Sequence, residues 1–216
     1  MKRAAAILAL LPCLILSSAH GYERTDMVGR LFLTTMDPES GGEQSGAVQP
    51  GSRLDVSQDF RVGISASYFI WDRVAVAAHT AWPFRNNLYL ESDTQRSRLG
   101  AMKVMPLTLT LQYYLPKLGR AKPWVGAGVH YAKFKDGRVS NGFADDISQV
   151  RFGTSNGVAG EIGFDWDIGR GTSLTASAIR TRGDTDVLLI RDGVVADRFN
   201  ADFNALVWGV GLSRRF

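Results

Sequence analysis

Between Leu107 and Leu115 every second residue is apolar: Leu107, Leu109, Leu111, Tyr113 and Leu115 alternate with Thr108, Thr110, Gln112 and Tyr114. A period of two places the first set on one face of an extended chain and the second set on the other. The pattern recurs. Phe60, Val62, Ile64, Ala66, Tyr68 and Ile70 oppose Arg61, Gly63, Ser65 and Ser67. Val158, Ile162, Phe164, Trp166 and Ile168 oppose Ala159, Glu161, Gly163, Asp165 and Asp167. Leu206, Trp208, Val210, Leu212 and Phe216 oppose Ala205, Gly209, Gly211 and Ser213. Weaker versions occupy roughly 27 to 36, 74 to 83, 122 to 134 and 172 to 181, so the chain predicts eight strands, each with a single apolar face.

The connections between these strands are of two kinds. Those after strands two, four and six are short, at Trp71 to Arg73, Pro116 to Ala121 and Gly169 to Gly171. Those after strands one, three, five and seven, near 37 to 57, 84 to 103, 135 to 153 and 182 to 201, each run to about twenty residues rich in Gly, Asp, Asn, Arg and Ser. In an up-and-down meander, alternate connections lie at opposite ends, so all the long loops gather on one side and both termini on the other. That asymmetry is the pattern of an all-β, eight-stranded antiparallel transmembrane barrel with long extracellular loops and short periplasmic turns. Within the loops, Phe143 to Gln149 is expected to form one or two helical turns. Val187 to Phe199, centred on Asp192-Gly193, is expected to form a hairpin projecting beyond the membrane.

Alternation alone does not say whether the apolar face meets lipid outside or a dry interior. Residue chemistry decides. A face exposed to water should be rich in Lys and Glu, whereas the face opposite the apolar stripes is mostly Gly, Ala, Ser and Thr with a few charges. Such a face suits the lumen of a narrow barrel, where eight strands leave room only for side chains. A charge on the lipid side would cost roughly 2 to 4 kcal/mol at the midplane, and the apolar stripes carry none. The lumen is therefore expected to hold Arg61, Gln112, His130, Glu161 and Asp165 as a polar network. Tyr68, Trp71, Trp82, Tyr113, Trp124, Trp166 and Phe216 fall near strand ends, where interfacial aromatic girdles belong.

The first residues fit export. Lys2 and Arg3 precede an apolar run from Ala4 to Leu16, followed by Ser17, Ser18 and Ala19, which reads as a signal peptide over residues 1–21. The run is too short to span a membrane as a helix and Pro12 interrupts it. The lone Cys13 follows Pro12 rather than the small residues of a lipoprotein cleavage box, so processing leaves a chain, residues 22–216, without cysteine. It also removes two of 25 basic residues, leaving 23 against 21 acidic, and no basic cluster with interleaved aromatics suggests nucleic acid.

From Met105 to Phe134 the chain reads Met-Pro-Leu-Thr-Leu-Thr-Leu-Gln-Tyr-Tyr-Leu-Pro, then Lys-Pro-Trp-Val-Gly-Ala-Gly-Val-His-Tyr-Ala-Lys-Phe. Together with Met36-Asp37-Pro38, Trp82-Pro83-Phe84 and the run from Asn156 to Asp165, this resembles the OmpW family of outer-membrane proteins over nearly the whole mature chain. The resemblance implies a barrel whose lumen is not an open aqueous channel, but which admits small hydrophobic compounds from outside and releases them sideways through its wall. The family often carries Trp where this chain has Asn156, so a lumen constriction is not carried over to that position. Gly211 and Phe216 match the C-terminal signal read by the barrel-assembly machinery, although Arg214 stands where an aromatic or aliphatic residue is usual.

Other chemistries find little support. Glu161 and Asp165 could be imagined as an acid and base, but a lumen ion-pair network is the favoured reading. His79 and His130 lie on different strands without a third ligand, and Gly-x-Ser-x-Gly, paired cysteines and a phosphate loop are absent. Neither catalysis nor a cofactor is expected. The loop residues Leu88, Leu90, Phe143, Ile147 and Phe152 are candidates for an apolar funnel at the mouth. The expected partners are outer-membrane lipid and lipopolysaccharide, small apolar solutes and the assembly machinery. The competing expectation is a structural, adhesive or receptor barrel with a plugged lumen.

Overall fold

The computed structural model describes residues 21–38, 53–56, 59–92, 95–139, 149–191 and 194–216. The expected signal peptide therefore lies outside the described residues except for Gly21, as does the expected helix from Phe143 except for Gln149. Twelve strands follow one another: β1 (Met27–Pro38), β2 (Arg53–Val56), β3 (Phe60–Trp71), β4 (Val74–Ala81), β5 (Phe84–Ser92), β6 (Gln95–Tyr114), β7 (Ala121–Val139), β8 (Gln149–Phe152), β9 (Thr154–Gly169), β10 (Thr172–Arg191), β11 (Val194–Asp202) and β12 (Ala205–Arg215). All pairings are antiparallel, and no helix occurs among the described residues.

Eight of these strands form the closed barrel, in the order β1, β3, β4, β6, β7, β9, β10, β12 and back to β1. Closure falls between the terminal strands, from Val28 opposite Arg215 to Pro38 opposite Ala205. It removes the open edge whose unpaired amides and carbonyls hydrocarbon could not satisfy. The short turns need unusual backbone: φ is positive at Arg73 (67°), and at Gly169 (101°), Arg170 (54°) and Gly171 (74°), where glycine relieves two of three consecutive strained positions.

Of the four remaining strands, β2, β5 and β8 correct the reading of the loops, while β11 falls in the hairpin expected in the fourth. β5 continues β4 beyond Trp82-Pro83, since both pair with β6, from Thr80 opposite Leu107 to Phe84 opposite Val104. β8 likewise extends the course of β9 past Gly153, and β11 extends β12 past Phe203 and Asn204, each along β10. At β5 and β8 the sheet thus runs on into stretches expected to be irregular. The alternation fails there because both faces beyond the membrane meet water, while backbone pairing persists. The expected hairpin in the fourth loop is present, with Val187 opposite Phe199 and Arg191 opposite Val194.

The faces fall as expected. Leu31, Ile64, Leu109, Ile162, Phe164, Trp208 and Leu212 are exposed on the outside, and Ser65, Ser67, Thr108, Thr110, Gln112, Glu161 and Asp165 are buried within. The protein wears its apolar residues outward and its polar residues inward, which is stable only where the surroundings are lipid.

Candidate functional site: the barrel lumen

The lower lumen, toward the short turns, is filled by side chains that the inward stripes bring together. Arg30 stands between Val28 and Phe32 on the inward phase of β1 and is fully buried. Its Nη2 donates to Asp165 Oδ2 at 2.9 Å and its Nε to Oδ1 at 3.3 Å, a two-point grip on the carboxylate. The same guanidinium donates to Ser67 Oγ at 2.7 Å and to the Tyr114 hydroxyl, and lies 4.7 Å over the Trp124 ring. Ser67 in turn donates to Gln112 Oε1 at 3.0 Å. Glu161 is the second anchor. It accepts from Thr110 Oγ1 at 2.8 Å, from Gln112 Nε2 at 3.0 Å and from Trp124 Nε1 at 3.2 Å, with His79 Nε2 at 3.3 Å. Buried charges are tolerable only when paired and hydrogen-bonded in this way.

Below the network a group of rings closes the tube. Tyr22, Phe69, Tyr114 and Trp124 are nearly inaccessible, with the Tyr22 ring tilted against Phe69 at 4.7 Å and edge-on to Tyr114 at 5.0 Å. Tyr22 also donates to Asp165 Oδ2 at 2.9 Å, and the segment that follows it is sewn to β3 by Thr25 N–H to Phe69 O and Phe69 N–H to Asp26 O. Trp124 fits because Gly163 faces it: a Cβ there would stand 2.6 Å from Trp124 Cε2. At the other end of the barrel a second cluster of Met36, Phe84, Val104, Phe134 and Phe203 packs across the mouth. Between the two ends lies a cavity of about 50 Å³ whose lining includes Phe32, His79, Thr108, His130, Ile179 and Val207.

Of the residues expected in the network, Gln112, Glu161 and Asp165 are there. His130 is buried but stands apart, its Nδ1 3.0 Å from Thr108 Oγ1, beside the cavity. Arg61 does not join. It has the inward phase but lies opposite Thr34, four positions up β3 from Ser65, which is opposite Arg30, and it ion-pairs with Asp59 at the rim. The cation that balances Asp165 is Arg30, which the alternation of Leu31 and Leu33 on the outside would have assigned to the lumen. Trp124 also corrects an expectation, since it belongs to the lumen and not to an interfacial girdle. Tyr22, ahead of the first strand, carries no periodic signal. Of the expected funnel, Leu88 and Leu90 lie on β5 opposite Val56 and Leu54, and Phe152 lies on β8 opposite Val187, while Phe143 and Ile147 lie outside the described residues. Gly211 sits against the carbonyl of Leu31, where a Cβ would not fit, and Phe216 is exposed at the barrel's end.

A closed eight-stranded barrel with a lipid-facing exterior and a polar interior packed with side chains defines a small outer-membrane barrel protein. The model of the OmpW family matches residues 23–216, and the chain belongs to that family. It is 28% identical to outer membrane protein W of Salmonella typhi over 82% of each chain. It is 27% identical to the dibenzothiophene metabolism operon protein PahQ of Pseudomonas aeruginosa over 74% of each. The crystal structure of the outer membrane protein OprG from Pseudomonas aeruginosa superposes with a TM-score of 0.76 at 25% identity, covering 91% of this chain and 98% of that one. The protein accordingly resides in the outer membrane of a Gram-negative bacterium.

Proposed function

We propose that this barrel gives small hydrophobic molecules passage from outside the cell into the outer membrane, leaving the lumen sideways above its plugged lower half. The observation that carries the reading is the lining of the central cavity. Besides lumen residues it includes Ile64 and Trp208, whose side chains are exposed to lipid, together with Gly63 and Gly209 on the strands either side of Thr34. At those glycines the wall has no side chain of its own, and the backbone with the small Thr34 side chain packed against it is all that separates the cavity from the hydrocarbon. Straight passage to the periplasm is blocked by the Arg30–Asp165 pair and the rings beneath it. An apolar solute entering from above thus gains most by moving outward, because lipid solvates it and the polar network does not. The kinship with a protein of a dibenzothiophene metabolism operon supports an apolar cargo.

The reading requires no catalysis and no cofactor: the carboxylates of Glu161 and Asp165 are already occupied by donors. The filled lower lumen also suits a barrel that acts only through its projecting strands, so an assay must separate the two. Proteoliposomes with a lipopolysaccharide outer leaflet are mixed with naphthalene, whose fluorescence reports its arrival in the membrane. The wild type should accelerate uptake, and Ile179→Trp, which fills the cavity, should abolish the acceleration. Uptake no faster than in protein-free vesicles would favour the structural barrel.

A further inference from the structure

Just above the lipid-facing stripes, the outer surface carries a row of positive charge that the fold does not explain. Arg85 on β5 stands opposite Lys103 on β6, and Lys103 stands opposite Lys135 on β7, so three cations lie side by side across three neighbouring strands. Lys133, two residues below Lys135 on the same face, stands opposite Met105. All four are exposed. Adjacent strands are about 4.8 Å apart, so the row spans roughly 10 Å. Like charges directly opposite one another destabilise a sheet, and among the described residues no carboxylate forms an ion pair with any of the four. The nearby Asp59 accepts from the backbone N–H of Arg85 but gives its ion pair to Arg61. On the other flank, β9 presents Thr154 opposite Lys133, followed on that face by Asn156, both neutral.

The height of the row identifies what it meets. Below it the outward residues are Met105, Leu107, Leu109, Leu111 and Tyr113 on β6 and Tyr131, Val129 and Val125 on β7, all exposed to lipid. The row follows directly on the extracellular side, at the level of the outer-leaflet headgroups. In the outer membrane that leaflet is lipopolysaccharide, whose headgroups carry phosphates. We propose that Arg85, Lys103, Lys133 and Lys135 form a binding site for the phosphate groups of lipopolysaccharide, which supply the countercharge that no ion pair among the described residues provides. Neutral or zwitterionic lipid would leave the repulsion in place.

The test uses protein purified from outer membranes and reconstituted in phosphatidylcholine vesicles, with urea unfolding followed as purified lipopolysaccharide is added. A ligand that binds only the folded state raises the unfolding midpoint. The wild type and a control with four cations removed near the periplasmic turns (Arg24→Gln, Lys117→Gln, Arg120→Gln, Arg170→Gln) should both respond. The variant Arg85→Gln, Lys103→Gln, Lys133→Gln, Lys135→Gln should bind lipopolysaccharide roughly a hundredfold more weakly. Without lipopolysaccharide it should be as stable as the wild type or more so, because its repulsion is gone. Dephosphorylated lipopolysaccharide and inorganic phosphate should shift the wild type little. If the fourfold variant does not fold, as judged by heat-modifiable gel mobility, Lys103→Gln, Lys135→Gln alone should lose most of the response. An undiminished response in the variants, a wild-type response that survives dephosphorylation, or an equal shift from inorganic phosphate would each overturn the assignment.

Discussion

Replacing Arg30 by Met removes the cation from the centre of the lumen while keeping an unbranched side chain of similar reach. Asp165 then loses its two contacts at 2.9 and 3.3 Å and keeps only the Tyr22 hydroxyl, while Ser67 and Tyr114 lose a donor each. Both partners of the pair are fully buried, so water does not reach the orphaned carboxylate without rearrangement. Breaking a buried pair from one side costs about 3 to 5 kcal/mol, whereas replacing both partners by apolar residues is often close to neutral. Arg30→Met should therefore lower the stability measured by urea titration in lipid vesicles, read by tryptophan fluorescence, by about 3 to 5 kcal/mol. Arg30→Met combined with Asp165→Leu should recover most of that loss, giving a coupling energy of several kcal/mol. A single substitution that costs under about 1 kcal/mol, or a double that simply adds the two single costs, would mean that the lower lumen is wet and that the plug described here does not form.

Gly163→Ala should cost about 1 to 3 kcal/mol through overlap with Trp124, and the same urea titration should show Trp124→Phe in that background restoring part of it. Tyr22→Phe removes one hydrogen bond to Asp165 but keeps the ring packing, so its loss in that assay should be about 1 to 3 kcal/mol. Deleting Phe216 should reduce the amount of heat-modifiable barrel in outer membranes while leaving the purified protein able to refold in detergent; equal amounts in cells would remove the residue from any assembly signal.

The barrel was legible in the sequence because one physical demand, apolar side chains toward hydrocarbon, imposes a period of two that needs no partner strand to be seen. Leu107 to Leu115 and Val158 to Ile168 announce their faces residue by residue. Where that demand lapses, so does legibility: above the membrane no alternation marks β5, β8 or β11, and their place follows from cross-strand pairing and from contacts such as the Arg198–Asp186 ion pair and the burial of Phe84. The lumen network was half visible for a related reason. Periodicity assigns Glu161, Asp165 and Gln112 to the interior, but which cation meets them depends on the register between distant strands. Arg61 and Arg30 both point inward, and only the pairing of Arg30 with Ser65 puts the latter at the level of Asp165. Trp124 departs from the expectation that an aromatic near a strand end is interfacial, because the space that admits it inside comes from Gly163 on another strand.

Apolar molecules should cross into the membrane through a barrel that water and ions do not traverse. Naphthalene uptake and potassium leak should be measured on one preparation of proteoliposomes carrying the wild-type protein. Faster uptake with potassium retention equal to that of protein-free vesicles is the expected result. Potassium escaping in proportion to the amount of barrel inserted would reveal a water-filled bore and contradict the plugged lumen with its sideways exit.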